Sequence, residues 1–348
     1  MTAAAGPRRW RRVGLWALAA LAVVIVAFAG WLIFPGTPSQ AKSLKFQGYV
    51  ALPGHRALNV LDYLTVNGRN LFVTSATGGE VYKIALDTPF SGVVVLAGPP
   101  AAHGVAIDPA SGVAYVSRSE ANTVDLFDPR AMRLIKRIGV ADDVDGIFYD
   151  PASKLIVADS GDPKLATLID PTSQTKAATI PLGGVPEFAA FDPQASLLYQ
   201  NLKDVDAVVA LDLAKRSVTG RWPLEGCQAP SGMAIDARQR RLFVVCSGNA
   251  KLVVFDLDSH RVTSVLLIGG GPDSVAYDAA LHRLYATGKS GVLSVIAQDT
   301  PDHYRPLDQI RLHYGAHTLA VDPVTHRVYV GYASLLLPAR LAVFSAVG

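Results

Sequence analysis

Residues 107–151 read IDPASGVAYVSRSEANTVDLFDPRAMRLIKRIGVADDVDGIFYDP. The stretch opens on Ile107-Asp108-Pro109 and closes on the same pattern, Tyr149-Asp150-Pro151, 42 residues later. Between these marks lie a turn, a run around Tyr115, the run Thr123-Val124-Asp125-Leu126-Phe127-Asp128 and the run Leu134-Ile135-Lys136-Arg137-Ile138. Each run is short, β-branched or aromatic, and bounded by Gly, Pro, Asp or Asn, which is the signature of strands rather than helices.

The pattern continues in both directions. Phe191-Asp192-Pro193, Ile235-Asp236-Ala237, Tyr277-Asp278-Ala279 and Val321-Asp322-Pro323 follow, and the spacings between successive Asp residues are 42, 42, 44, 42 and 44. A second strand carries Tyr115, Ile156, Tyr199, Phe243, Tyr285 or Tyr329 at a matching offset. A degenerate copy comes first, with Leu64-Thr65-Val66 and Leu71-Phe72-Val73. Four short strands per repeat of about 40–45 residues define a β-propeller blade. A solenoid has the same periodicity, but the chain ends favour a closed ring. The last repeat supplies three strands (Thr318 to Val321, Arg327 to Gly331, Arg340 to Ser345), and the missing fourth is Leu44 to Leu52. Pairing the two ends in one blade removes exposed sheet edges. The expectation is therefore an all-β, seven-bladed propeller over residues 44–348.

Half of the 348 residues are hydrophobic and 18% are charged, which excludes a disordered chain. The formal charge of +3 misleads, because Arg8, Arg9, Arg11 and Arg12 precede the first apolar run. Without these four, 28 basic residues stand against 29 acidic ones, so nucleic acid is not an expected partner. Residues 1–12 form a basic segment and Val13 to Phe34 an apolar run of 22 residues, and 35–43 read as a linker. A helix of that length spans roughly 33 Å, enough for a bilayer core. The basic cluster should stay in the cytoplasm, which exports the remainder on an inner-membrane anchor to the periplasm or cell exterior. Cleavage near Ser39-Gln40-Ala41 is the competing reading, and it gives the same export.

Gly184-Val185-Pro186, Gly271-Pro272 and Gly98-Pro99 stand before the innermost strands, Asp-Pro follows those strands, and Leu-Tyr or Val-Tyr marks several second strands. In these features residues 44–348 resemble the YVTN-repeat β-propellers, the YncE-like group of exported bacterial proteins. The naming tetrapeptide is degraded to Tyr115-Val116-Ser117-Arg118, Phe72-Val73-Thr74-Ser75 and Tyr329-Val330-Gly331-Tyr332. The resemblance implies a binding or envelope role without a shared reaction, and a propeller fold alone cannot choose a function.

Innermost strands line a propeller's channel. Five residues before each repeat Asp stand His103, Asp145, Glu187, Ser231, Asp273 and His317, and Asp62 lies near the matching place in the first blade. This polar ring is the candidate ligand-binding site. Three readings stay open: a wet rim, a divalent-metal site drawing on Asp145, Glu187 and Asp273, or metal-free acid–base chemistry with His103 or His317 as the base. Loops carrying Arg118, Asp162, Lys203, Asn249, Lys289 and Tyr332 share the ring's face and suit a small polar ligand or an envelope protein. Cys227 and Cys246 fall on that side of one blade, and an exported chain permits a disulfide between them. His282 and His326 read as solvated turn residues, and Leu335-Leu336-Leu337-Pro338 as an apolar loop. Gly288-Lys289-Ser290 lacks the glycine and the strand-to-helix setting of a phosphate loop. The expected function is an exported, membrane-tethered binding or scaffold protein. The alternative is a metal-dependent propeller enzyme, a lactonase-like hydrolase or a lyase. Tetrapyrrole binding through an axial His103 or His317 ranks third.

Overall fold

The computed structural model describes residues 37–54, 59–332 and 339–347, with Ala17, 21–24 and Val26. The expected membrane span over 13–34 lies largely outside the described residues, as does the loop Leu335-Leu336-Leu337-Pro338. Among the described residues no helix is long and apolar enough to cross a membrane.

Seven four-stranded antiparallel sheets form the ring. From the channel outward, blades 1 to 6 take their strands in chain order, over residues 61–96, 102–139, 144–181, 186–223, 230–267 and 272–311. Blade 7 combines Ala316–Val321, Arg327–Tyr332 and Arg340–Ala346 with the N-terminal strand Leu44–Ala51, which pairs antiparallel with Arg340–Ala346. The ring is thus closed by the two ends of the fold.

Apolar side chains on both faces of each blade pack against its neighbours, and the buried core divides into seven clusters, one per gap between blades. Tyr115, Val124 and Leu126 of blade 2 meet Ile147, Ile156 and Ala158 of blade 3, for example. The repeated second-strand residue pairs two positions before the repeat Asp, as Tyr115 does with Ala106. In blade 3 that place belongs to Val157, which pairs with Phe148, and not to Ile156, because Ile156 is one residue short of the common offset.

The repeat Asp is a structural device. Asp108 accepts hydrogen bonds from the backbone N–H groups of Ala110 and Ser111, both at 3.1 Å, so the carboxylate holds its own turn. Three of these buried carboxylates also take a partner from the next blade. Arg240 reaches Asp192 at 2.5 Å, the Tyr277 hydroxyl reaches Asp236 at 2.9 Å, and His326 Nδ1 lies 2.7 Å from Asp278. His326 is therefore an inter-blade clasp rather than a free solvated turn residue. Blade 1 lacks the Asp because its turn, Gly68-Arg69, is shorter, with Asn67 paired to Asn70 and Gly68 at φ 57°. A two-residue hairpin of this kind calls for glycine.

Candidate functional site

Every inner strand breaks register with its second strand at the ring position. In blade 3, Val144 pairs with Ser160 and Ile147 with Ala158, so Asp145 and Gly146 face Asp159 alone. Blades 1, 2, 4 and 5 repeat this two-against-one bulge, at Asp62-Tyr63, His103-Gly104, Glu187-Phe188 and Ser231-Gly232. In blades 6 and 7 only Asp273 and His317 are skipped. A bulge leaves its residues outside the ladder and redirects their side chains, which is why one position per blade is free to serve the channel mouth.

The ring divides into separate groups. His103 Nδ1 lies 2.5 Å from Asp62 Oδ2 and 3.2 Å from Asp145 Oδ1, and Nε2 lies 2.8 Å from the Ser119 hydroxyl. Lys203 Nζ donates to Glu187 Oε1 at 2.5 Å. His317 Nε2 stands 3.9 Å from Asp273 Oδ2, with Nδ1 2.8 Å from the Gly315 carbonyl. The Ser231 hydroxyl turns to backbone and donates to the Pro272 carbonyl at 3.1 Å. Among the described residues, the convergent His and carboxylate group is Asp62, His103 and Asp145. Of the metal candidates read from the sequence, Asp145 belongs to it, whereas Glu187 pairs with Lys203 and Asp273 lies nearest His317.

The electrostatics follow from crowding. Burial opposes the charged form of His103, but the hydrogen bond to Asp62 and the charges of Asp145, Asp62 and Asp143 outweigh it, and the imidazole is pushed up to about 9. Burial and the nearby Asp62 charge raise Asp145 to about 7 against the pull of His103. Burial likewise raises Glu187 and Asp273 above the usual carboxylate range, although Lys203 and His317 respectively oppose the shift.

Three features were not read from the sequence. Tyr63 and Phe188, each one residue past a ring position, stack with centroids 5.3 Å apart and planes at 16°, and Phe148 meets Phe188 edge-on at 5.4 Å. These rings floor a polar cavity of about 200 Å³ lined by Asp62, Asp145, Glu187, Lys203 and Asp273. On the other side of the pair the lining carries no charge and is mostly apolar by residue, with Leu64, Val66, Val275 and Leu319 around about 260 Å³ and Val105, Ile107, Ile147 and Phe191 around about 430 Å³. Secondly, Asp159 is buried with neither carboxylate oxygen hydrogen-bonded, and burial followed by the charge of Asp145 raises it well above the ordinary range. Thirdly, Arg118 is not a loop residue at the mouth. It ends a second strand, is buried, and donates to the carbonyls of Gly79 and Pro99. Tyr332 is likewise a buried strand residue. Cys227 and Cys246 are joined by a disulfide with Cα atoms 5.3 Å apart.

The fold and its mouth define a seven-bladed β-propeller whose axial mouth is ringed by carboxylates and histidines. No protein-family model matches the sequence, and no curated protein matches it. Among solved structures 1752 chains match, so the architecture is too widely shared to select a function. One of them is a Kuenenia stuttgartiensis hydrazine synthase structure, with a TM-score of 0.68 and 17% identity over 79% of this chain and 93% of that one. At that identity the likeness establishes the propeller fold alone.

Proposed function

We propose that the chain is an exported propeller of the YVTN type, tethered to the membrane by residues 13–34, which binds a small polar ligand at the axial mouth. The observation that carries this reading is the floored cavity: carboxylates from four blades and the Lys203 ammonium converge on about 200 Å³ with Tyr63 and Phe188 stacked beneath. Convergent polar groups over an aromatic surface are what a small-molecule site requires. The repeat pattern and the basic, then apolar, N-terminus support the family and the export.

A thermal-shift screen of amino acids, polyamines, sugars and sugar acids on the full chain tests the reading. A ligand should raise the melting temperature by several degrees, and Asp273→Asn with Lys203→Ala should abolish the shift. If no compound acts but crosslinking captures an envelope protein on this face, the site serves a scaffold instead.

A metal-dependent hydrolase or lyase is the second reading, favoured by the convergence of His103 with two carboxylates. It requires turnover that Asp145→Ala abolishes.

A further inference from the structure

We propose that Asp62, His103 and Asp145 form a binding site for one divalent first-row transition-metal ion at the channel mouth. The proposal rests on the mouth being the ligand-binding face and gives part of that face a ligand class. Two carboxylates approach the same ring nitrogen, Asp62 Oδ2 at 2.5 Å and Asp145 Oδ1 at 3.2 Å. Nδ1 carries at most one proton and can satisfy one of them. Asp145 Oδ1 is the one left over: it is inaccessible to solvent and accepts no hydrogen bond. A cation bound by the Nδ1 lone pair and both carboxylates would satisfy all three groups together.

The geometry suits such an ion. The three ligand atoms lie within 4.8 Å of one another. Metal bonds of 2.0–2.2 Å place tetrahedral ligand atoms about 3.4 Å apart, so small side-chain rotations suffice. Ser119 fixes the imidazole through Nε2 at 2.8 Å, the kind of outer contact that orients a metal-bound histidine. The three residues come from successive inner strands, and glycine follows two of them. A Cβ on Gly104 would stand 2.8 Å from Ile147 Cγ2, and one on Gly146 3.0 Å from the Glu187 carbonyl, so these glycines let the strands approach closely. One imidazole with two carboxylates favours Zn²⁺, Mn²⁺, Fe²⁺ or Co²⁺ over Ca²⁺, which prefers an all-oxygen shell. A fourth position facing the cavity would be open to water or to a ligand.

The test titrates chelator-treated, full-length protein with Zn²⁺ by calorimetry and with Co²⁺ by visible absorption. The expected result is one equivalent of Zn²⁺, Co²⁺ absorption bands that Zn²⁺ abolishes, and no competition from Ca²⁺. Asp62→Asn, Asp145→Asn and His103→Gln should each weaken binding at least tenfold, whereas Asp258→Asn, in an exposed turn of blade 5, should leave it unchanged. The Co²⁺ spectrum needs no variant, so it decides the matter even if a substitution prevents folding. Absence of saturable binding, or equal loss in Asp258→Asn, overturns the assignment. If Zn²⁺ does not bind but a small polar compound raises the melting temperature, the metal site falls and the ligand-binding reading stands. If neither binds, both fall.

Discussion

Asn201, on the second strand of blade 4, donates from Nδ2 to the backbone carbonyl of Ser231 on the inner strand of blade 5, at 2.7 Å. The residue opposite one blade's bulge thus secures the ring position of the next. Ser117 does the same for the Asp145 carbonyl, and Thr287 reaches the Ala316 carbonyl at 2.7 Å. Asn201→Leu removes the donor and leaves a buried carbonyl unpaired, which should cost about 1–3 kcal/mol. Urea denaturation measures it, and an unchanged midpoint would show that the contact does not hold the blades together.

Asp159 occupies the equivalent place in blade 3 but offers a donor only when protonated. Its pKa is raised, so the folded state keeps a proton that the unfolded chain releases near pH 4. Stability from this group therefore falls as pH rises above about 4. Asp159→Asn supplies a permanent donor, and at pH 7 it should stabilise the protein on the order of 1–3 kcal/mol. The gain should shrink toward pH 4 in melting curves. A destabilised variant at pH 7 would mean that the carboxylate is ionised and paired.

His103 has the opposite chemistry and the same sign. Its folded pKa of about 9 exceeds the ordinary 6.5, so its contribution is complete below about pH 6.5 and is lost as pH rises through about 9. In chelator, His103→Gln should cost on the order of 2–3 kcal/mol more at pH 6 than at pH 10. A pH-independent penalty would indicate that the ring is neutral in the folded protein.

Gly232→Ala should destabilise by about 1–3 kcal/mol through overpacking. The added methyl would stand 2.6 Å from the Asp273 carbonyl oxygen and 2.8 Å from Ser274 Cα, both backbone atoms of the next blade. Calorimetric melting checks the loss, and an unchanged melting temperature would show that adjacent inner strands can part at the mouth.

The disulfide spans 19 residues of sequence separation, a loop size for which removal costs about 2–4 kcal/mol. Alkylation without reductant should label neither cysteine. A Cys227→Ala, Cys246→Ala variant should melt lower, and reductant should lower the wild-type melting temperature but not that of the variant.

The blades were legible because each repeat Asp has a local task, capping a turn, that fixes its spacing. The ring was legible for a related reason: the bulge falls at a constant distance from that Asp, so counting back five residues finds His103, Asp145 and Glu187. Counting could not tell which acid closes on which base. His103 meets both Asp62 and Asp145, whereas Glu187 is drawn to Lys203, and those choices depend on strand approach rather than spacing. Tyr63 and Phe188 escaped notice because their role is set by reach across the axis, and one position along in blades 2, 3 and 5 stands only glycine. Arg118 looked like a loop residue because its charge suggested solvent. Its guanidinium is instead spent on two carbonyls of blade 1 and the loop that leaves it.

The stacked pair of Tyr63 and Phe188 has a kinetic consequence. It stands between the polar cavity at the mouth and the two cavities farther along the channel, so a solute passing from one end to the other must slide against these rings. A polar solute held above the rings would be retained by Asp62, Asp145, Glu187, Lys203 and Asp273. An apolar molecule on the far side would be felt at the polar mouth through the two aromatic rings and through Ser274 and Thr318, which line cavities on both sides.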